Sequence, residues 1–219
     1  MPPTPHLRFT GDDQQAEAIV LLLHGGRPDS FAPVRAFDTG VLRMIPFGRS
    51  VARAGRGRIA GAFLRHSVRG WNGELESPLA DARWALDQIT GRFGDLPVGL
   101  VGHSMGGRTA VRMADHESVH SVAALAPWLP PGEPIPSMQG RRVLLAHGTA
   151  DRTTDPQQTD ALWRSLMKSG VEVEHHEFIG GDHAMLVPAR QWHHVVAEFM
   201  ARTLLSPAQD ASPDGISAG

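Results

Sequence analysis

Two features of this 219-residue chain predict an α/β domain with a mostly parallel, doubly wound sheet and helices on both faces. Apolar runs of strand length alternate with amphipathic runs of helix length, and the clearest strands are apolar almost throughout rather than at every second residue. Continuous apolarity is expected of a strand buried on both faces. The first such run, Ala18 to Leu23, ends in His24-Gly25-Gly26. Met44, Ile45, Phe47, Val51 and Ala52 then recur at helical spacing between Val41 and Ala54, although Pro46 and Gly48 weaken that helix. Ile59 to Leu64 reads as the second core strand. A helix is expected over Glu76 to Phe93, with Ser77 as N-cap, Pro78 at the first position and Leu79, Ala82, Leu86 and Ile89 on one face.

Val98 to Val101 is the third strand and runs into Gly102-His103-Ser104-Met105-Gly106-Gly107, from which a helix extends from Met105 to about Asp115. Val119 to Ala126 is a further strand. The repeated prolines between Pro127 and Pro136 forbid a regular helix there. Arg142 to Ala146 is a strand ending at His147-Gly148. Asp155-Pro156 opens a helix to about Lys168 that Gly170 closes, Val171 to Phe178 is the last strand, and a final helix covers Pro188 to Leu205. Residues 1–205 are expected to form a single domain. The Ser-, Pro-, Ala- and Gly-rich stretch 206–219 is expected to be a disordered tail.

Composition excludes several classes of function. The formal net charge is −2, so nothing attracts nucleic acid or an anionic membrane. The chain has no cysteine, which removes disulfides, thiolate metal sites and a cysteine nucleophile. MPPTPHLRFT lacks the charged and apolar regions of a secretory signal, and Ala18–Leu23 is too short to span a bilayer. The expected location is cytoplasmic; the oligomeric state is not legible.

The chemistry concentrates at four loops. Gly102-His103-Ser104-Met105-Gly106 fits G-x-S-x-G between a strand and a helix, the setting in which a sharp turn lifts a serine to the top of a sheet. A serine hydroxyl needs a base. In sheets of this kind the acid and then the histidine follow the serine in the chain. Gly180-Gly181-Asp182-His183 supplies the base. Its rivals His175 and His176 lie within a strand, and His193 and His194 within the final helix. The acid is Asp151 in His147-Gly148-Thr149-Ala150-Asp151; its competitor Asp155 reads as a helix cap. An oxyanion would need two backbone donors. Met105, after the serine, is one. Gly26 is the first choice for the other and Arg27 the second. Trp71 and Trp128 follow strands near the same edge and, with Arg27, are candidate substrate contacts.

The set HGG at 24–26, GHSMGG at 102–107, HGTADRTTDP at 147–156 and GGDHAM at 180–185 resembles the α/β-hydrolase superfamily. It is similar to the small lidless branch of dienelactone-hydrolase-like esterases, carboxylesterases and thioesterases. The resemblance covers about residues 17 to 205. It departs from typical dienelactone hydrolases in having Ser104 in place of a cysteine nucleophile. The family's first two strands are marked only near Leu7 to Thr10, and ten residues from Pro127 to Pro136 replace a helix or lid. The resemblance implies a serine hydrolase that cleaves a small or medium ester, thioester or lactone through an acyl-enzyme on Ser104, without metal or organic cofactor. The same fold also supports acyltransferases, cyclases and lyases, and a non-catalytic ligand receptor that retains the triad.

Overall fold

The computed structural model describes residues 3–12 and 14–205; the segment 206–219 lies outside the described residues. Seven strands form one sheet: β1 (His6–Thr10), β2 (Ala18–Leu23), β3 (Ile59–Arg65), β4 (Val98–His103), β5 (Val119–Leu125), β6 (Arg142–Gly148) and β7 (Glu172–Phe178). The order across the sheet is β1-β3-β2-β4-β5-β6-β7. Only the β1–β3 pair is antiparallel. The helices are α1 (Thr39–Ala54), α2 (Ser77–Phe93), α3 (Met105–Arg112), α4 (Pro156–Lys168) and α5 (Ala189–Leu204).

Strand periodicity divides the core. On β2, Ile19, Leu21 and Leu23 face one apolar layer with Leu86 and Ile89 of α2 and Leu162 of α4. Ala18, Val20 and Leu22 face the other, with Phe47 of α1 and Trp192 and Met200 of α5. Every residue of β2 is buried, as its unbroken apolarity requires. Strand order then places the loops. The chain steps from β2 outward to β3 and returns on the far side of β2 as β4, which makes the carboxyl ends of β2 and β4 a topological switch point. Leu23 pairs with Gly102 there, so the His24-Gly25-Gly26 loop and Ser104 are neighbours. Gly148 pairs with Phe178, which sets the Asp151 and His183 loops side by side.

One local expectation holds despite the residues that weakened it, and another needs correction. The helix α1 runs through Pro46 and Gly48, because Met44, Phe47 and Val51 bury its apolar face and Gly48 lets it lie against the Phe63 ring. Ser77 does not cap α2. It is the first helical residue, and its hydroxyl accepts a bond from Asn72 Nδ2 at 3.1 Å. Glu76, which precedes it with φ 43°, gives its carboxylate to Arg112 at 2.6 and 3.1 Å instead of to the helix N-terminus. Asp155 does cap α4, accepting from the Gln157 N–H at 2.9 Å. Residues 127–136 form no helix; the segment is tied down by Glu133, which pairs with Arg108 at 2.6 Å and Arg112 at 3.1 Å.

The first turn of α3 presses on the end of β2. A Cβ on Gly106 would overlap the Leu23 carbonyl, whereas one on Gly91, exposed in α2, would meet nothing. Gly106→Ala should therefore cost about 1–3 kcal/mol, and Gly91→Ala should gain about 0.5–1 kcal/mol. Urea unfolding of the two variants checks this; equal effects would contradict the packing described.

Candidate active site

Ser104 joins β4 to α3 at φ 57° and ψ −117°, a strained conformation for a residue with a Cβ. Its N–H donates to the Leu125 carbonyl at 3.0 Å, and its carbonyl accepts from Arg108 and Trp128 N–H at 3.0 and 3.1 Å. The turn presents the hydroxyl to the cleft. As the first helical residue, Met105 keeps an N–H with no partner inside α3.

Three loops converge on this hydroxyl. His183 Nε2 lies 3.1 Å from Ser104 Oγ, and His183 Nδ1 lies 2.7 Å from Asp151 Oδ2. Asp151 Oδ1 accepts from the Thr153 and Thr154 N–H groups at 2.7 and 3.0 Å, and Oδ2 from the Thr154 hydroxyl at 2.9 Å. Burial alone would raise the Asp151 pKa. The two backbone N–H groups, His183 and the Thr154 hydroxyl outweigh it and hold the carboxyl below its ordinary value. Asp182 turns away from His183, and its carboxylate accepts from the Leu186 N–H at 3.1 Å.

Buried histidines that the sequence did not single out brace these loops. His103 donates from Nε2 to the His183 carbonyl at 2.8 Å, joining the Ser104 turn to the His183 loop. His24 donates from Nδ1 to the Gly25 carbonyl at 2.7 Å and accepts at Nε2 from the His66 N–H at 3.1 Å, which fixes the turn at Gly25-Gly26. His147 stands behind Asp151, with Nε2 3.2 Å from Oδ2.

The cleft over Ser104 is open and has a volume of about 450 Å³; Gly26, Arg27, Phe37, Arg43, Arg69 and His183 are among its lining residues. Arg27 cannot be the second oxyanion donor, because its N–H is spent on the Arg69 carbonyl at 2.8 Å. Gly26 lines the cleft. The Arg69 side chain is paired with Asp38 at 3.0 Å. Arg27 and Arg43 have no ion pair among the described residues, and burial lowers the Arg43 pKa while Asp182 opposes the shift. Neither Trp71 nor Trp128 lines the cleft. Trp71 is buried under the Arg108 guanidinium, 3.6 Å from its ring centre, and Trp128 packs edge-on to it with Arg108 4.8 Å from its own ring. Their expected role as substrate contacts is corrected to a stack that holds the loops beside α3. Among the described residues no group of three His, Cys, Asp or Glu is placed to hold a metal, and no helix is long and apolar enough to cross a membrane.

The model of the dienelactone hydrolase family matches residues 76–205, more than half of the chain. An α/β serine hydrolase homologue from Coxiella burnetii superposes with a TM-score of 0.67 at 13% identity, over 88% of this chain and 90% of its own. A serine hydrolase without lid from Xanthomonas campestris gives 0.65 at 16%, over 93% of this chain and 91% of its own. Est1E from Butyrivibrio proteoclasticus, solved with ferulic acid bound, gives 0.66 at 13%, over 91% of this chain and 95% of its own. The chain shares its fold with these structures, of which the Xanthomonas protein is the one described as lacking a lid. No curated protein matches the chain in sequence.

The bracing histidines carry a pH signature. Burial, then the neighbouring His66, lowers the His24 pKa to about 3. Burial, then His183 and Arg43, lowers that of His103 to about 3. Below pH 6.5 the unfolded chain takes up protons that these two refuse when folded, so stability falls as pH drops from about 6.5 toward 3. Each should cost roughly 2 kcal/mol between pH 7 and 5. Urea unfolding at both pH values should show a smaller loss for His103→Gln than for the parent chain; the same loss in both would contradict this.

Proposed function

The chain belongs to the dienelactone hydrolase family, and from that premise we propose that it is a serine hydrolase of small or medium esters, thioesters or lactones, acting through an acyl-enzyme on Ser104. The observation that carries the reading is the line of contacts Ser104 Oγ to His183 Nε2 at 3.1 Å and His183 Nδ1 to Asp151 Oδ2 at 2.7 Å. Such a line lets the imidazole take the hydroxyl proton while the carboxylate fixes its tautomer and stabilises the imidazolium.

Ser104 Oγ attacks the carbonyl carbon as its proton passes to His183 Nε2. The oxyanion settles between the N–H groups of Met105 and Gly26, at the positive end of α3. Collapse breaks the bond to the leaving oxygen or sulfur, which takes the proton from the imidazolium. A water then gives a proton to His183 and attacks the acyl carbon, and the acid departs as Ser104 regains its hydrogen. The open cleft leaves a path for that water.

The cleft also favours a class of substrate. Arg27 and Arg43 make no ion pair among the described residues and line the cleft with the apolar Phe37, an environment suited to an acyl or leaving group that carries a negative charge. Ser104→Ala should lower kcat on p-nitrophenyl acetate on the order of 10⁴-fold or more without loss of fold; an unchanged rate would retire the proposal. Arg43→Ala should lower kcat/KM about tenfold more for a carboxylated ester than for its neutral methyl ester. Equal losses on the two would remove the anion preference.

A further inference from the structure

Asp151 has a second histidine. His147, the penultimate residue of β6, is buried, and the turn after it brings Asp151 back over its ring. Nε2 of His147 lies 3.2 Å from Asp151 Oδ2 and 3.2 Å from Thr154 Oγ1, and Nδ1 lies 2.7 Å from Thr159 Oγ1 in the first turn of α4. The Asp151 side chain itself is wholly buried.

Proton accounting leaves one arrangement. The single proton of the Thr154 hydroxyl goes to Asp151 Oδ2, its shortest contact at 2.9 Å. Toward His147 both the carboxylate and that hydroxyl then present lone pairs, so Nε2 must carry the hydrogen. Nδ1 is left as an acceptor, and the fully buried Thr159 hydroxyl, 2.7 Å away, is placed to donate to it. The opposite tautomer would set two lone pairs against each other in a site closed to water. Burial also lowers the His147 pKa, so the ring supplies a donor and no competing positive charge.

Through this contact every face of the carboxylate is occupied. Oδ1 receives two backbone N–H groups, and Oδ2 receives His183, Thr154 and His147. A carboxylate held on both oxygens cannot rotate out of line with the His183 N–H. From this geometry we infer that His147 is a positioning residue of the site: fixed in one tautomer by Thr159, it locks the rotation of Asp151 and so sets the orientation of His183. The hydrogen-bond line would then begin in α4 and run from Thr159 through His147, Asp151 and His183 to Ser104. The inference rests on the roles given above to those last three residues.

Three variants test it. His147→Gln places an amide N–H near the position of Nε2, His147→Leu removes the donor, and Thr159→Val removes only the tautomer lock. In p-nitrophenyl acetate hydrolysis His147→Leu should lose on the order of ten- to a hundredfold in kcat with KM nearly unchanged. His147→Gln should recover most of that loss, and Thr159→Val should show a smaller fall. The downfield proton NMR resonance of His183 Nδ1–H, identified by its absence in His183→Gln, should persist in His147→Gln and broaden or vanish in His147→Leu. If His147→Leu does not fold, a Thr159→Val chain with the parent rate and resonance overturns the inference. So do equal kcat losses in His147→Leu and His147→Gln, or an unchanged resonance in His147→Leu. If instead the resonance responds as expected while Ser104→Ala keeps full turnover, the brace stands and the hydrolase reading falls.

Discussion

Ser104 leaves β4 with φ 57° and ψ −117°, a conformation that costs a non-glycine residue on the order of 1–3 kcal/mol, and the surrounding structure is arranged to hold it there. Its carbonyl and N–H are bound by Arg108, Trp128 and Leu125, which belong to the following helix, the proline-rich loop and the neighbouring strand. Arg108 in turn lies against Trp71 and Trp128 and pairs with Glu133. The strained turn is thus backed by a cation–aromatic stack that ties two loops to α3, and the prolines between 127 and 136 keep that backing short where a lid would otherwise stand. An open cleft and a rigid serine follow from the same set of contacts.

Around this turn the charges are sorted by depth. The buried histidines 24, 103 and 147 all have lowered pKa values, with desolvation as the first cause, and each serves as a neutral donor to a loop carbonyl or to Asp151. Asp151 remains the anion of the buried cluster because donated hydrogen bonds outweigh its burial. The cations Arg27 and Arg43 line the cleft, where a substrate can reach them. A neutral His147 can lie against the Asp151 carboxylate without weakening its attraction for a protonated His183.

The sheet was legible because its strands are short, apolar and separated by helical periodicity. Even β1, marked only by Leu7 to Thr10, pairs with β3. The positions of Ser104, Asp151 and His183 were legible because chain order at a sheet's carboxyl edge becomes spatial order. What could not be read depends on partners distant in sequence. Ser77 looked like a cap because nothing local reveals that Arg112 occupies Glu76, thirty-six residues away. Trp71 and Trp128 looked like pocket walls because their shared partner Arg108 lies on α3. Arg43 lies in no motif, and His147 heads HGTADRTTDP without any role of its own being marked there. For His147 the one available signal was its place four residues before Asp151, at the end of the same strand.

The account comes down to whether the Ser104 hydroxyl is activated by His183. The direct measurement is peptide-level mass spectrometry after exposure to a fluorophosphonate, which forms a lasting adduct only with an activated serine. The account predicts a single adduct on Ser104 in the parent chain and none in His183→Ala under the same exposure. An unlabelled Ser104 in the folded parent chain, or equal labelling in both, would contradict it.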